Sequence, residues 1–398
     1  MINKNERHLD IIKVIENLDI TPSMYKNADE KYHALADYLS RHTNVNIDMY
    51  PHGSFAFGTI VRPLKGDRDG YYDLDFICEV DLEKSMITAK ELRRLIENAI
   101  KDGELYGGRL EVSPQCFTIH YAEEGGASFS IDVVPATHEN DATVSRLKEK
   151  ASRPDLLDSA IAIPMVSENG HEWITNNPKG FTKWFREVNE PYKAYIRSMY
   201  RRSLYESTDF YDKIEDIPEG MERSSVQRVI QLLKRHRDIF YQKSEELKPI
   251  SSIINVLVTH VASSLAPNTG VFELLEHVLY ELNESAKCFN NKIFREILLE
   301  NRVITRKNNK WYVANPANPE DNLADKWNES EAIPKMFFKW VDAAKKDFLE
   351  SLDKPDEEFR AISETAFGQD AIKTVWGTKY DSSTATPVSN TAKPWKYK

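Results

Sequence analysis

Three cysteines in 398 residues leave little for sulfur chemistry to do. Cys78, Cys116 and Cys288 are scattered, and their spacing fits neither a zinc site nor a disulfide framework. A reducing cytoplasm is therefore the expected compartment. The chain also lacks any apolar run near the ~18 residues that a membrane-spanning helix needs, so no membrane partner is expected. Its first residues, MINKNERHLDIIKVIENL, are charged throughout and contain no apolar signal region. An excess of positive charge is missing too: 53 Lys and Arg stand against 63 Asp and Glu, a net charge of −10. Proteins that grip long nucleic acid are usually basic, at least locally. The balance here weighs weakly against a polymer substrate and leaves small anionic ligands open; the sequence carries no inserted Cys/His ribbon of the DNA-sensing kind, so duplex nucleic acid is not an expected partner. The basic clusters Lys234-Arg235-His236-Arg237, Arg201-Arg202 and Arg93-Arg94 read as solvated helix faces. No internal repeat is visible.

What remains is an ordinary globular composition, 41% hydrophobic and 29% charged, in a chain too long for one compact core. Apolar spacing predicts helix over residues 8–42 with a break at Thr21-Pro22, then a strand over 45–54 leading into Gly53-Ser54. Strands are expected over 71–81, 109–121 and 127–135, with a helix over about 88–101 between the first two. Strands with a helix laid across them suggest an α+β lobe with a mixed sheet. From about residue 150 the pattern turns helical: Ser224 to Gln242, an apolar helix in SSIINVLVTHVASSL, then Gly270 to Leu282, Asn291 to Leu299 and a last helix over about 333–352. The segment 315–327 reads as irregular. The expected division is a first lobe over 1–150 with N-terminal helices, a helical lobe over 151–370, and a loosely held polar tail over 371–398.

One stretch demands a chemical reason. In PHGSFAFGTIVRPLKGDRDGYYDLDFICEV, residues 51–80, Asp73 and Asp75 lie within an alternating run with Leu74 and Phe76. On a strand, residues i and i+2 share a face, so the two carboxylates stand side by side while the apolar residues enter a core. Adjacent carboxylates repel and raise each other's pKa unless a cation lies between them. A third acid, Asp132, sits in the strand-like run SFSIDVVP. If that strand pairs beside the first, three carboxylates converge, and hard oxygen ligands of this kind suit Mg²⁺ or Mn²⁺. Two such ions, about 4 Å apart, form the usual site for in-line displacement at phosphorus. Gly53 lets the backbone approach an anion closely, and Ser54 with neighbouring N–H groups can hold phosphate oxygens. Asp-x-Asp alone is a weak signal. Its conjunction with an upstream Gly-Ser turn and a downstream strand acid is a strong one.

These residues resemble the polymerase-β-like nucleotidyltransferase superfamily, and more closely its bacterial cGAS/DncV-like branch, the cyclic-oligonucleotide synthases of anti-phage signalling. HGSFAFGTIVRPL followed by YDLDFICEV is similar to the family's first motif block, and FSIDVVPA to its third-acid strand. ITNNPKGFTKWF, VQRVIQLLKRHRDIF with KPISSII, and NPANPEDNLADKW resemble its helical-lobe blocks. The resemblance implies a polymerase-β-like lobe and a helical-bundle lobe with nucleotides in the cleft between. It implies that Asp73, Asp75 and Asp132 bind two Mg²⁺, that Gly53 and Ser54 cradle the donor triphosphate, that Lys234 reaches it from the other lobe, and that Ser251 hydrogen-bonds it. Asn322 to Asp325 would border the donor base. His52 departs from the family's pattern, where relatives often carry Gln, and that puts base preference in question. On spacing alone Lys234 also fits a solvated face, Ser251 a helix N-cap, and Trp173, Trp184, Trp311, Trp327 and Trp340 core packing.

The implied activity is transfer of a nucleotidyl group between NTPs with loss of pyrophosphate, closing to a cyclic di- or trinucleotide read by a separate effector. Regulatory or conjugating proteins from the same operon are further implied partners. The alternatives are a linear nucleotide transferase and a catalytically silent NTP-binding regulator; three intact acids speak against the second.

Overall fold

The computed structural model describes residues 2–62, 64–65, 68–69, 72–121, 129–168, 170–206, 222–290 and 302–381. Helix α1 (Lys4–Asn17) and helix α2 (Pro22–Thr43) part where the Thr21 hydroxyl accepts the Met24 N–H and Pro22 opens the next helix, a position that needs no backbone donor. Strand β1 (Ile47–Pro51), the short helix α3 (Gly53–Phe57), the two-residue strands β2 (Leu64–Lys65) and β3 (Arg68–Asp69), and the long strand β4 (Tyr72–Glu83) follow. Helix α4 (Ala89–Lys101) starts at a reciprocal Thr88–Glu91 capping box. The hairpin β5 (Leu110–Val112) and β6 (Phe117–Tyr121) and then strand β7 (Phe129–His138) complete the centre of the sheet. Helix α5 (Asp141–Lys150) leads to strands β8 (Ile161–Ser167) and β9 (Gly170–Asn176).

The sheet runs β1-β4-β7-β6-β5, with β8 added to β7 and β9 to β8. β4 and β7 are parallel, and the other pairings within this sheet are antiparallel. Strands parallel and adjacent require a crossover, here α4 and the β5–β6 hairpin. Leu74 and Phe76 of β4 pack with Ile131 and Val133 of β7 beneath Leu35, Leu39, Leu92 and Ile96 of α2 and α4. A small separate core joins Ile77 and Ala136 to Ile161 and Ile163.

The remaining helices are α6 (Pro178–Glu206), α7 (Ser225–Phe240), α8 (Ser251–Ser263), α9 (Val271–Asn290), α10 (Ala332–Phe348), α11 (Asp356–Phe367) and α12 (Gln369–Trp376), with a three-stranded sheet of β10 (Ile304–Lys307), β11 (Lys310–Asn315) and β12 (Asn318–Asn322). Their core includes Trp311, Trp327 and Trp340, as the reading of the tryptophans anticipated. Trp184 packs at its edge, and Trp173 packs against the sheet core instead. It also includes Ile11, Val14 and Ile15 of α1. The chain's first helix thus lies among its last ones: the Arg7 guanidinium donates to the carbonyls of Leu352 and Lys354 at 3.0 and 2.6 Å. The Trp376 indole donates to the Asp10 carbonyl at 3.0 Å.

Four expectations need correction. The sheet does not end near residue 150, because β8 and β9 extend it; β8 is a near-continuous apolar run with a proline inside it and β9 is largely polar, so neither shows clean alternation. The segment 315–327 is ordered by side chains that imitate backbone: Asn322 accepts N–H groups from Val313 and Ala324 and donates to the Trp311 carbonyl. Two helices follow the one read as last. Residues 371–376 belong to α12, where Ala371, Ile372 and Trp376 are buried. The helix read over Asn291–Leu299 and the tail beyond residue 381 lie outside the described residues.

Candidate active site

β1 is antiparallel to β4 with Pro51 opposite Phe76, so the chain leaves the sheet beside Asp75. The His52 N–H donates to the Asp75 carbonyl at 2.9 Å. Gly53 then has φ +60°, and a Cβ there would lie 2.7 Å from Asp75 Oδ2. Only glycine meets both conditions. The turn closes through the Thr59 N–H, which donates to the Ser54 carbonyl at 2.9 Å.

The parallel register sets Asp73 opposite Ser130 and Asp75 opposite Asp132. Ser130 donates its hydroxyl to Asp73 Oδ1 at 2.6 Å. From the next strand, Thr118 faces Asp132 and donates to its Oδ1 at 2.6 Å. Burial, with the Asp73 charge adding and Lys234 opposing, pushes the Asp75 carboxyl up to about 6. Burial likewise lifts Asp132 to about 6 against the Thr118 hydrogen bond, with Asp75 and Asp73 adding. Asp75 is only half-buried by surface area: solvent reaches it through the mouth of a cleft whose walls are protein. Burial also lowers the His52 imidazole to about 4 against the pull of Asp132, so His52 is neutral near pH 7.

The opposite wall is α7. Ser224 caps it through a capping box with Gln227, and the helix is buried almost all round. This overturns the reading of Lys234-Arg235-His236-Arg237 as a solvated face: all four are under 9% exposed. Each has found a partner instead. Arg235 donates to the Phe367 carbonyl at 2.9 Å. His236 lies between Asp347 and the Trp340 indole, each at 2.9 Å. Gln227, Gln231 and Lys234, on one face of the helix, grip the turn after Gly53 at the Phe57 carbonyl, the Ile60 carbonyl and the Thr59 hydroxyl, at 2.7, 2.7 and 3.1 Å. Burial and then the Arg237 charge push the Lys234 amine down to about 7, against Asp238 and Asp75. Ser251 is not a helix cap; Ile250 holds that position, and Ser251 Oγ accepts from Arg237 at 2.9 Å.

The walls enclose a cavity of about 200 Å³. Ser54, Thr59, Asp73 and Asp75 line one side, and Lys234, Arg237, Asp238 and Ser251 the other. Asp132 adjoins it by register with Asp75. Asn322 and Asp325 are not brought there; the Asn322 amide is spent on the β11–β12 ribbon, and Asp325 accepts the Lys326 N–H. An acidic wall facing a cationic wall is suited to a polyanion that arrives with divalent cations.

No family model matches the chain. Two characterised proteins do. It is 24% identical over 336 residues to a c-di-GMP synthase of Roseivirga ehrenbergii, covering 83% of this chain and 76% of that one. It is 24% identical over 329 residues to the cyclic dinucleotide synthase CdnG of Bradyrhizobium diazoefficiens, covering 79% and 68%. The solved structure of CdnG from Bradyrhizobium diazoefficiens with GTP superposes with a TM-score of 0.66 at 18% identity, over 92% of this chain and 97% of that one. The chain is thus similar in sequence to two cyclic dinucleotide synthases and shares the fold of CdnG. Its α+β architecture, a polymerase-β-like sheet lobe joined to a helical one, is the fold that CdnG shows.

Several contributors to this cleft escaped the sequence reading. Arg237 stands one helical turn beyond Lys234, and Ser130 lies two residues before Asp132 on the same strand face; both offsets were legible. Thr118, Thr59 and Gln231 carried no local signal. Whether metal fits can be judged from the donor set. Among the described residues no three acid, imidazole or thiol groups are already gathered at ligand distance, and two of the three acids lean on hydroxyls. Yet the donors are all hard oxygens, two carboxylates are raised by burial and by their neighbouring carboxylates, and Asp75 opens on the cavity. That set fits Mg²⁺ or Mn²⁺.

Proposed function

We propose that this chain joins NTPs into a cyclic di- or trinucleotide with release of pyrophosphate. The observation that carries the reading is one cavity in which Ser54, Asp73 and Asp75 face Lys234, Arg237 and Ser251. Kinship with a c-di-GMP synthase and a cyclic dinucleotide synthase supports it.

In this reading Asp73, Asp75 and Asp132 hold two Mg²⁺, for which Mn²⁺ can substitute. When bound, the ions neutralise the triphosphate and lower the pKa of the acceptor hydroxyl. Ser54 Oγ and the backbone freed by Gly53 bind the donor phosphates. Lys234 and Arg237 draw the triphosphate toward α7 and stabilise the departing pyrophosphate, and Ser251 is oriented by Arg237 to donate to it. Asp132, turned by Thr118, accepts the proton of the attacking hydroxyl. His52, neutral and beside Asp132, contacts the acceptor nucleotide. The protein does little covalent work; positioning and charge complementarity supply the rate. The linear intermediate then turns in the cleft for the ring-closing transfer. We place the product in anti-phage signalling, where a separate effector reads it in the cytoplasm. No helix among the described residues is long and apolar enough to cross a membrane.

The test is a product assay. The protein is incubated with all four NTPs and Mg²⁺, then Mn²⁺, treated with phosphatase and analysed by mass spectrometry beside the Asp73→Asn/Asp75→Asn double variant. A phosphatase-resistant cyclic species, absent from the variant, is expected. Only linear, phosphatase-sensitive products would make it a linear transferase; nucleotide binding without pyrophosphate release under either metal would make it a regulator.

A further inference from the structure

A larger cavity, about 410 Å³, lies behind the same turn, within the size range of small-ligand sites. Ile60 borders both cavities, while Phe55, Phe57 and Gly58 face this one and Ser54 and Thr59 face the other. The segment from Ser54 to Ile60 is thus a partition between them. Helix α6 forms the far wall. Arg186, Glu190, Lys193 and Arg197 recur along it at helical spacing and all line the cavity, joined by Arg223 from the approach to α7.

In the lining cations outnumber acids: four meet one, Glu190, which accepts from Arg197 at 3.0 Å, while Glu222 and Asp19 act on them from outside it. Arg197 also binds Glu222. Neither Arg186 nor Lys193 has an ion-pair or hydrogen-bond partner among the described residues. Arg223 is 9% exposed, and burial lowers its guanidinium against the pull of Asp19. Burial, then the Arg223 charge, lowers the Lys193 amine. Four aromatic residues join them in the lining. Phe55, Phe57 and Phe185 are buried, and the half-buried Tyr25 stacks on Phe55 at 4.9 Å and leaves part of its ring to the cavity.

We infer that this cavity is a second binding site, separate from the cleft of Asp73 and Asp75, for a phosphate-bearing aromatic molecule of the size of a nucleoside monophosphate. The phosphate sits between Lys193, Arg186 and Arg223, and the ring lies against Tyr25. Because Gln227 lines this cavity and also holds the Phe57 carbonyl, an occupant bears on the turn that carries Ser54. Among the described lining residues Glu190 is the one carboxylate, so the binding proposed here is of the phosphate by cations and calls on no divalent ion.

The probe is adenosine monophosphate in EDTA, titrated calorimetrically into the full chain. Wild type is expected to bind it, Lys193→Ala/Arg186→Ala to bind at least about tenfold more weakly, and Lys234→Met, altered in the other cavity, to bind as wild type. The exposed Arg186→Ala alone gives an intermediate loss in a variant whose fold is not at stake. Unchanged binding in the double variant, loss of binding in Lys234→Met, or no binding by wild type at millimolar nucleotide would each overturn the inference. The measurement involves no turnover, so its failure is separable from failure of the synthase reading.

Discussion

The two walls of the cleft hold their charges in opposite ways. On the sheet side, acids project from adjacent strands, and the two that lean on protein use a neighbouring hydroxyl, Ser130 or Thr118. On the α7 side, cations are buried and committed to the turn or to Ser251. Each wall is nonetheless short of what the other kind of ligand brings. Burial, with neighbouring carboxylates adding, raises the carboxyls of Asp75 and Asp132, and burial with the Arg237 charge lowers the Lys234 amine. Perturbed groups concentrated in one cleft mark a functional site. Here the perturbations have opposite sign on opposite walls, as a site for a metal-bound polyanion requires.

The sharpest way to break this symmetry is Asp75→Asn. Product formation should fall on the order of 10³-fold or more, while Tm rises because a repelling carboxylate is gone. A fall in Tm would mean that the acid supports the fold. Gly53→Ala attacks the turn at the foot of the acidic wall. It forces a left-handed backbone, costing about 1–2 kcal/mol, and drives a methyl into Asp75. Activity should drop about 10²-fold, with a measurable loss in denaturant midpoint. Lys234→Met keeps the volume of the helical wall and removes its charge. A rise in donor KM with a combined loss in kcat/KM of about 10²-fold is expected, with no loss of Tm, since a buried ammonium is replaced by an apolar chain. Unchanged KM would remove Lys234 from the phosphate site. The mildest change is Thr118→Val, which frees Asp132 from its hydroxyl. A loss of about tenfold in kcat at constant donor KM would identify Thr118 as a positioning residue.

The sheet wall was readable from sequence because strand periodicity is two: Asp73, Asp75 and their apolar partners sort onto opposite faces within five residues. The pairing of β4 with β7 was stated only as a condition, since register between distant strands has no local signature. The helical wall was misread for a physical reason. Charge in a sequence usually means solvent, and a helix bearing Lys-Arg-His-Arg gives no sign that Phe367, Trp340, Thr59 and Ser251 await it from elsewhere in the chain. Resemblance, not spacing, brought Lys234 to the cleft. The ribbon of β10 to β12 was missed because asparagine side chains, rather than alternating apolar residues, hold its turns.

The placement of α1 bears on how the molecule comes into being. Arg7 is anchored to a carbonyl 345 positions later in the chain, and Asp10 accepts from Tyr380 across 370. During synthesis the sheet lobe can assemble from local material, but α1 is made well before α12, and its apolar stripe of Ile11, Val14 and Ile15 gains its full cover only once that helix has been made. The α7 wall is closed by the same late helices, through Phe367 and Asp347. A nascent chain therefore carries its acids long before the cations are seated opposite them, and the cleft comes of age only with the final helices.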